Sequence, residues 1–228
     1  MTGDPNNEWD ISPLQEMIQY DLRGRGITHQ RVLAAFNRID RQHFMPDEQV
    51  DEAYADRPAS IECGQTISQP FIVAQMLEYL QVDTSHRVLE LGTGSGYSTA
   101  LIAELAASVD SLDVFPELLK FAYANLNRQA VRGIRLFLGS GWSALPEQTY
   151  DRIVVWASPP RIPENLINAL AIDGIMVIPV GKQDQYVQIV RKTDQGVSTE
   201  RRDPVRFVPL IREDLDARPY SPEGEIGR

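Results

Sequence analysis

Between residues 86 and 180 the chain alternates short apolar runs with amphipathic ones, and that alternation narrows the possible folds most. "HRVLEL", "SVDSLDV", "IRLFLG", "RIVVWA" and "GIMVIPV" read as five strands. Between them lie three helical patterns. "YSTALIAELAA" sets Leu101 and Leu105 four apart, and "PELLKFAYANLNRQ" opens on Pro116 with Leu118, Ala122 and Leu126 on one face. "PENLINAL" is the third. Strands alternating with helices over this distance predict a doubly wound α/β sheet. "QYVQIVRK" and "VRFVPLI" read as a sixth and a seventh strand. Without helices between them, the late strands predict an antiparallel C-terminal edge.

Upstream, Met17, Leu22 and Ile27 mark one helix, and Val32, Leu33, Ala35 and Phe36 a second. "PFIVAQMLEYL" is a third, with Pro70 in its first turn. The expected organisation is a polar tail at 1–12, one domain over 13–211, and a polar, solvated tail at 212–228. Within the domain, 13–80 carries the helices and a loop, and 81–211 carries the sheet. Of 228 residues, 43% are hydrophobic, enough for one sizeable core. The net charge of −10 repels a phosphate backbone, so no nucleic-acid partner is expected, despite the basic pair Arg201 and Arg202. The lone Cys63 excludes an internal disulfide. His29, His43 and His86 lie far apart, and no metal site is expected. The N-terminus has no apolar run, and no segment is long enough to span a membrane. A cytoplasmic monomer without a membrane partner is expected.

"VLELGTGSGY" follows a predicted strand and opens a helix. Gly92, Gly94 and Gly96 let the chain turn tightly and approach a ligand, with Thr93 and Ser95 between them. The spacing is neither that of the dinucleotide fingerprint nor that of a phosphate loop. Glu90 just ahead suits the cationic end of a ligand. Asp113 ends the next strand, 17 residues after Gly96, where a carboxylate can take both ribose hydroxyls. An adenosyl ligand without phosphates meets these conditions, which points to S-adenosyl-L-methionine.

Upstream stands "GQTISQP", a neutral loop with hydroxyls and no group able to act as a base. "RQHFMP", "AYADRP", "GQTISQPFIVAQML", "RVLELGTGSGY", "YDRIVVWAS", "MVIPVG" and "VRFVPL" together resemble the protein-L-isoaspartate O-methyltransferases, over about residues 14–211. The resemblance implies a seven-stranded Rossmann-like methyltransferase sheet. It implies methylation of the α-carboxyl of L-isoaspartyl residues in peptides and damaged proteins, initiating repair through a succinimide. Ser68 would be the active-site hydroxyl, with Gln65, Thr66, Ile67 and Gln69 lining the substrate pocket. Gly92, Gly94, Gly96 and Asp113 would hold the cofactor, with Ser140 and Gly141 near the adenine. A carboxyl of pKa about 4 is ionised at neutral pH. It needs no base, so a loop of small hydrogen-bond donors suffices.

The chain departs from the family pattern at several positions. Asp113 stands where Glu is usual, and Ser140 where "GDG" would place Asp. Trp156 stands among residues that are normally small, either packing beneath the sheet or narrowing the cofactor pocket. Cys63 reads as a small buried residue. Three other readings remain open. "SPPR" at 158–161 resembles the adenine and amide-nitrogen methyltransferases, but Arg161 fills the position of their stacking aromatic. A relative could methylate one aspartate of a dedicated precursor peptide. A degenerate, non-catalytic cofactor-binding module is the third.

Overall fold

A computed structural model describes residues 11–143, 145–146, 149–213 and 215–222. The helices are α1 (Pro13–Glu16), which runs on through a wider turn over Met17–Leu22, α2 (Gln30–Arg38), α3 (Pro70–Leu80), α4 (Tyr97–Ala103), α5 (Pro116–Arg128) and α6 (Glu164–Ala169). A two-stranded hairpin joins β1 (Ala59–Ser60) to β2 (Thr66–Ile67). The main sheet holds β3 (Arg87–Leu91), β4 (Ser108–Asp113), β5 (Ile134–Leu138), β6 (Tyr150–Val155), β7 (Leu170–Val180), β8 (Gln185–Thr193), β9 (Gly196–Val205) and β10 (Arg218–Pro219). Its order is β10-β5-β4-β3-β6-β7-β8-β9. The five strands from β5 to β7 are parallel, and β8, β9 and β10 are antiparallel additions at the edges.

The period of two in β7 shows how the sheet builds its core. Ile175 and Val177 face the layer formed by α2–α5, while Met176 and Ile178 face the layer that holds Leu166 of α6. Covered on both sides, β5 and β7 are largely apolar, whereas β4 buries Asp110, Ser111 and Asp113 beside Val109 and Leu112. From β3 the chain proceeds to β4 and β5 on one side, then returns to lay β6 on the other. A crevice opens outside the carboxyl ends of β3 and β6 at this reversal, the usual ligand position in such sheets.

Two sequence expectations fail at the chain's end. "VRFVPLI" is not a strand. β9 occupies the free edge of β8, so residues 206–211 turn away and run along the loop after β6. There Ser158 N–H donates to Val208 O (2.8 Å) and Leu210 N–H to Ser158 O (3.0 Å). The tail expected to be solvated from residue 212 is seated on the sheet over 215–220: Ser140 N–H donates to Leu215 O, β10 pairs with β5, and Tyr220 N–H donates to Leu136 O. The sheet therefore has eight strands, one more than expected. Residues 1–10, most of the expected N-terminal tail, lie outside the described residues. Among the described residues, no helix is long and apolar enough to cross a membrane.

Candidate active site

After Leu91 the chain must reverse from strand to helix within five residues. Gly92 and Gly96 do this at φ +94° and +85°. A Cβ on Gly92 would lie 3.3 Å from Trp156 Cβ, and one on Gly96 3.0 Å from Leu126 Cγ. Gly94 N–H points across the turn to Asp113 Oδ2 (3.0 Å), and Asp113 Oδ1 accepts from Phe115 N–H (3.1 Å). The shorter side chain found here in place of Glu thus braces the glycine turn directly. Burial pushes the Asp113 pKa up, against the lowering effect of the N–H groups of Gly94, Phe115 and Val114.

Around this turn lies an open cleft at the carboxyl ends of β3 and β4. Leu112, Phe115 and Leu118 give it an apolar wall, and Pro209, Leu210 and Ile211 close over it. Among the described residues lining it, Asp113 alone is charged. A cleft without Lys or Arg is poorly suited to phosphate and well suited to a neutral nucleoside.

A second, smaller cleft adjoins the first and shares Thr66, Gly92, Gly94 and Trp156 with it. Ile67, Ser68, Val73, Thr93, Ser95, Tyr97 and Ser98 complete its lining. No carboxylate, imidazole, amine or thiol is among the described residues there. The β1–β2 hairpin fixes the Thr66–Ser68 loop by pairing Ser60 with Thr66 and Ala59 with Ile67. Arg41 Nη2 donates to the Ser68 carbonyl (3.3 Å). Asp56 holds the next residues, accepting from Gln69 Nε2 (2.6 Å) and Phe71 N–H (2.9 Å).

The fold thus gathers Gln65, Thr66, Ile67, Ser68, Gly92, Thr93, Gly94, Ser95, Asp113 and Gly141 around two connected clefts. Four sequence candidates lie elsewhere. Glu90 is fully buried, and its carboxylate accepts from Ser98 Oγ (2.6 Å), Thr99 Oγ1 (2.5 Å), Ser111 Oγ (2.7 Å) and Trp156 Nε1 (2.7 Å). With its lone pairs engaged there, it braces the site from behind and lines neither cleft. Gln69 is turned to Asp56. Gly96 packs on α5. Ser140 is fully buried, with its Oγ accepting from Trp142 N–H (3.1 Å). Cys63 is not buried but exposed, at φ +57°. Glu117 and Glu62 add to desolvation in raising its thiol pKa.

Sequence reasoning missed Phe115, the 208–211 roof, Arg41 and Asp56. Phe115 fell between a strand pattern and a helix pattern, and the roof stood in a motif read as strand. The last two carried no chemical signature, although "RQHFMP" and "AYADRP" had marked their neighbourhoods.

Comparison with known proteins agrees with this arrangement. A family model described as protein-L-isoaspartate(D-aspartate) O-methyltransferase matches residues 13–215. The chain belongs to this family. It is 44% identical to a protein-L-isoaspartate O-methyltransferase of Gloeobacter violaceus over 200 residues, covering 86% of this chain and 98% of that one. A relative of the same name from Methanoculleus marisnigri is 46% identical, covering 86% of this chain and 90% of that one. Among solved structures, a Plasmodium falciparum chain described under the same family name, in complex with S-adenosyl-L-homocysteine, superposes with a TM-score of 0.78. That match covers 89% of this chain and 100% of the other at 24% identity, which supports the family fold.

Proposed function

We propose that the chain transfers a methyl group from S-adenosylmethionine to the α-carboxyl of L-isoaspartyl residues in peptides and damaged proteins. The observation that carries this reading is the meeting of the two clefts. One suits an uncharged nucleoside, and the other holds Ser68 among neutral donors. The family supplies the substrate class.

The residues present fit the cofactor. Asp113 can accept from ribose hydroxyls, Leu112, Phe115 and Leu118 can cover an adenine, and the glycines leave room beside the backbone. When bound, the cofactor supplies a methyl group activated by a sulfonium. The chain supplies position. Ser68 and Thr66 donate to the substrate carboxylate and hold it toward the junction. Absence of a base fits a nucleophile that is already ionised. Alignment of this kind contributes up to roughly 7–11 kcal/mol in ideal cases. The following backbone nitrogen then attacks the ester carbonyl and displaces methanol to close a succinimide, which water reopens in part to normal aspartate. This reading takes the enzyme as a cytoplasmic monomer.

The test uses methyl-labelled S-adenosylmethionine and two peptides differing only in Asp or isoAsp at one position. Base-labile ester on the isoAsp peptide alone is expected. Ser68→Ala should lower kcat about 10- to 100-fold, the equivalent of one hydrogen bond to a charged group, without changing cofactor Kd. Ester on neither peptide, with the cofactor still bound, would refute repair and favour a dedicated precursor-peptide substrate. Loss of cofactor binding as well would favour a non-catalytic module.

A further inference from the structure

Methyl transfer requires the sulfonium to lie where a cofactor in the first cleft can reach a carboxylate in the second. The residues common to both clefts are Thr66, Gly92, Gly94 and Trp156. Trp156 is the single aromatic among these four. Its position is set at three points. Its N–H donates to Leu91 O (2.9 Å), its Cβ packs against Gly92, and its indole Nε1–H donates to Glu90 Oε1 (2.7 Å). The residue is 7% exposed, so little water screens it. An indole is the strongest π-partner among side chains for a cation. A carboxylate on its N–H edge adds electron density and negative potential on that side of the junction.

Resting on the function proposed above, we propose that Trp156 is the binding residue for the sulfonium and separates substrate cofactor from product. S-adenosylmethionine carries a positive charge at sulfur, and S-adenosylhomocysteine has a neutral thioether there. Their adenosine and amino-acid ends are identical, so contacts at Asp113 and the apolar wall cannot tell them apart. A ring at the sulfur can. It favours release of the demethylated product after each turnover, and it would reduce product inhibition.

The test is calorimetric titration of the full chain with S-adenosylmethionine and S-adenosylhomocysteine separately, with the Kd ratio as readout. Trp156→Leu should shift that ratio against the sulfonium by about 5- to 30-fold, the range of a desolvated cation–π contact, mainly by weakening S-adenosylmethionine. Trp156→Phe keeps a ring of weaker potential, loses the hydrogen bond to Glu90, and should shift it by about 2- to 5-fold. An unchanged ratio in Trp156→Leu, or a shift toward the sulfonium, would overturn the proposal. Should Trp156→Leu fail to fold, an unchanged ratio in Trp156→Phe would do so. The peptide assay separates this from the function itself. Ester formation with an unchanged ratio rejects the role of Trp156 alone, and a shifted ratio without ester formation rejects repair while the sulfonium site stands.

Discussion

Arg41→Met removes a cation that opens the motif "RQHFMP" but to which the sequence assigned no role. The Arg41 side chain is fully buried. Nη1 donates to Ala53 O (2.8 Å) and more weakly to Ala55 O (3.4 Å), and Nη2 donates to Arg57 O (3.2 Å) and Ser68 O (3.3 Å). One planar group thus ties residues 53–57 to the carbonyl of Ser68 in the second cleft. Burial lowers its pKa from the ordinary value, but a guanidinium stays protonated in proteins. Methionine fills similar space and offers no donor. Three carbonyls at good distance lose a buried partner, at about 1–3 kcal/mol each. Relief from holding a buried cation offsets part of this, leaving a net loss of about 3 kcal/mol. For a chain of this size, Tm falls by roughly 6–12 °C. Amides of residues 53–70 should lose hydrogen-exchange protection more than those of β3–β6. Ser68 is then held less firmly, and a displacement of about 1 Å can cost on the order of 100-fold in rate. The isoAsp-peptide assay should therefore show a reduced kcat, measured below the new Tm, with cofactor Kd unchanged. A variant with wild-type Tm and kcat would refute the reasoning. So would a cofactor Kd that weakens in step with kcat, because that would place the damage at the sheet.

Gly96→Ala forces a side chain into a left-handed position and against Leu126 and Ala122, so urea unfolding should show a loss of about 2–4 kcal/mol; less than about 1 would show that α5 yields freely. Asp113→Asn replaces one acceptor oxygen with an amide N–H₂ beside the N–H groups of Gly94 and Phe115, so calorimetry should show S-adenosylmethionine binding about 10- to 100-fold weaker. His86 accepts from Asp83 N–H through Nδ1 (3.0 Å), and burial followed by the Arg152 charge holds its pKa below the ordinary 6.5. Its neutral form is favoured in the fold, so its contribution is complete above pH 6.5 and is lost as pH falls through the lowered folded value. His86→Gln should flatten the Tm profile in that window, and parallel profiles would refute the assignment.

What was legible in the sequence follows from burial. β3 to β7 lie between two apolar layers, so β3, β5, β6 and β7 carry apolar runs, and the helices between them show one apolar face. β9 gave no such signal. "GVSTERRDPV" is exposed over most of its length and stays in the sheet through its ladder to β8. Charges and Pro204 suit a free edge, and they erase the alternation by which a strand is recognised. "VRFVPLI" failed in the opposite sense. Its apolar residues cover a cleft instead of entering a sheet, and alternation does not distinguish the two. Gln185 shows how the segment is held without a ladder: its Oε1 accepts from Phe207 N–H (2.6 Å) and its Nε2 donates to Phe207 O (3.1 Å).

The same distinction applies within the site. Residues that line the clefts through backbone and small side chains, such as Gly92 and Gly94 in one loop and Thr66 and Ser68 in another, keep a fixed spacing within their own loop, and spacing is readable. Residues that hold those loops act from a distance in sequence: Arg41 lies 27 positions from the Ser68 carbonyl it binds, and Asp56 lies 13 from Gln69. Glu90 shows the limit of spacing as a guide. It stands where an acid could greet a cationic ligand, yet the side chain leaves β3 on the face toward α4, where Ser98 and Thr99 wait with donors. A strand's alternation decides which way that carboxylate points, and the clefts open on neither face but at the strand's end. Its link to the junction of the two clefts runs through Trp156, the one partner of Glu90 that borders both.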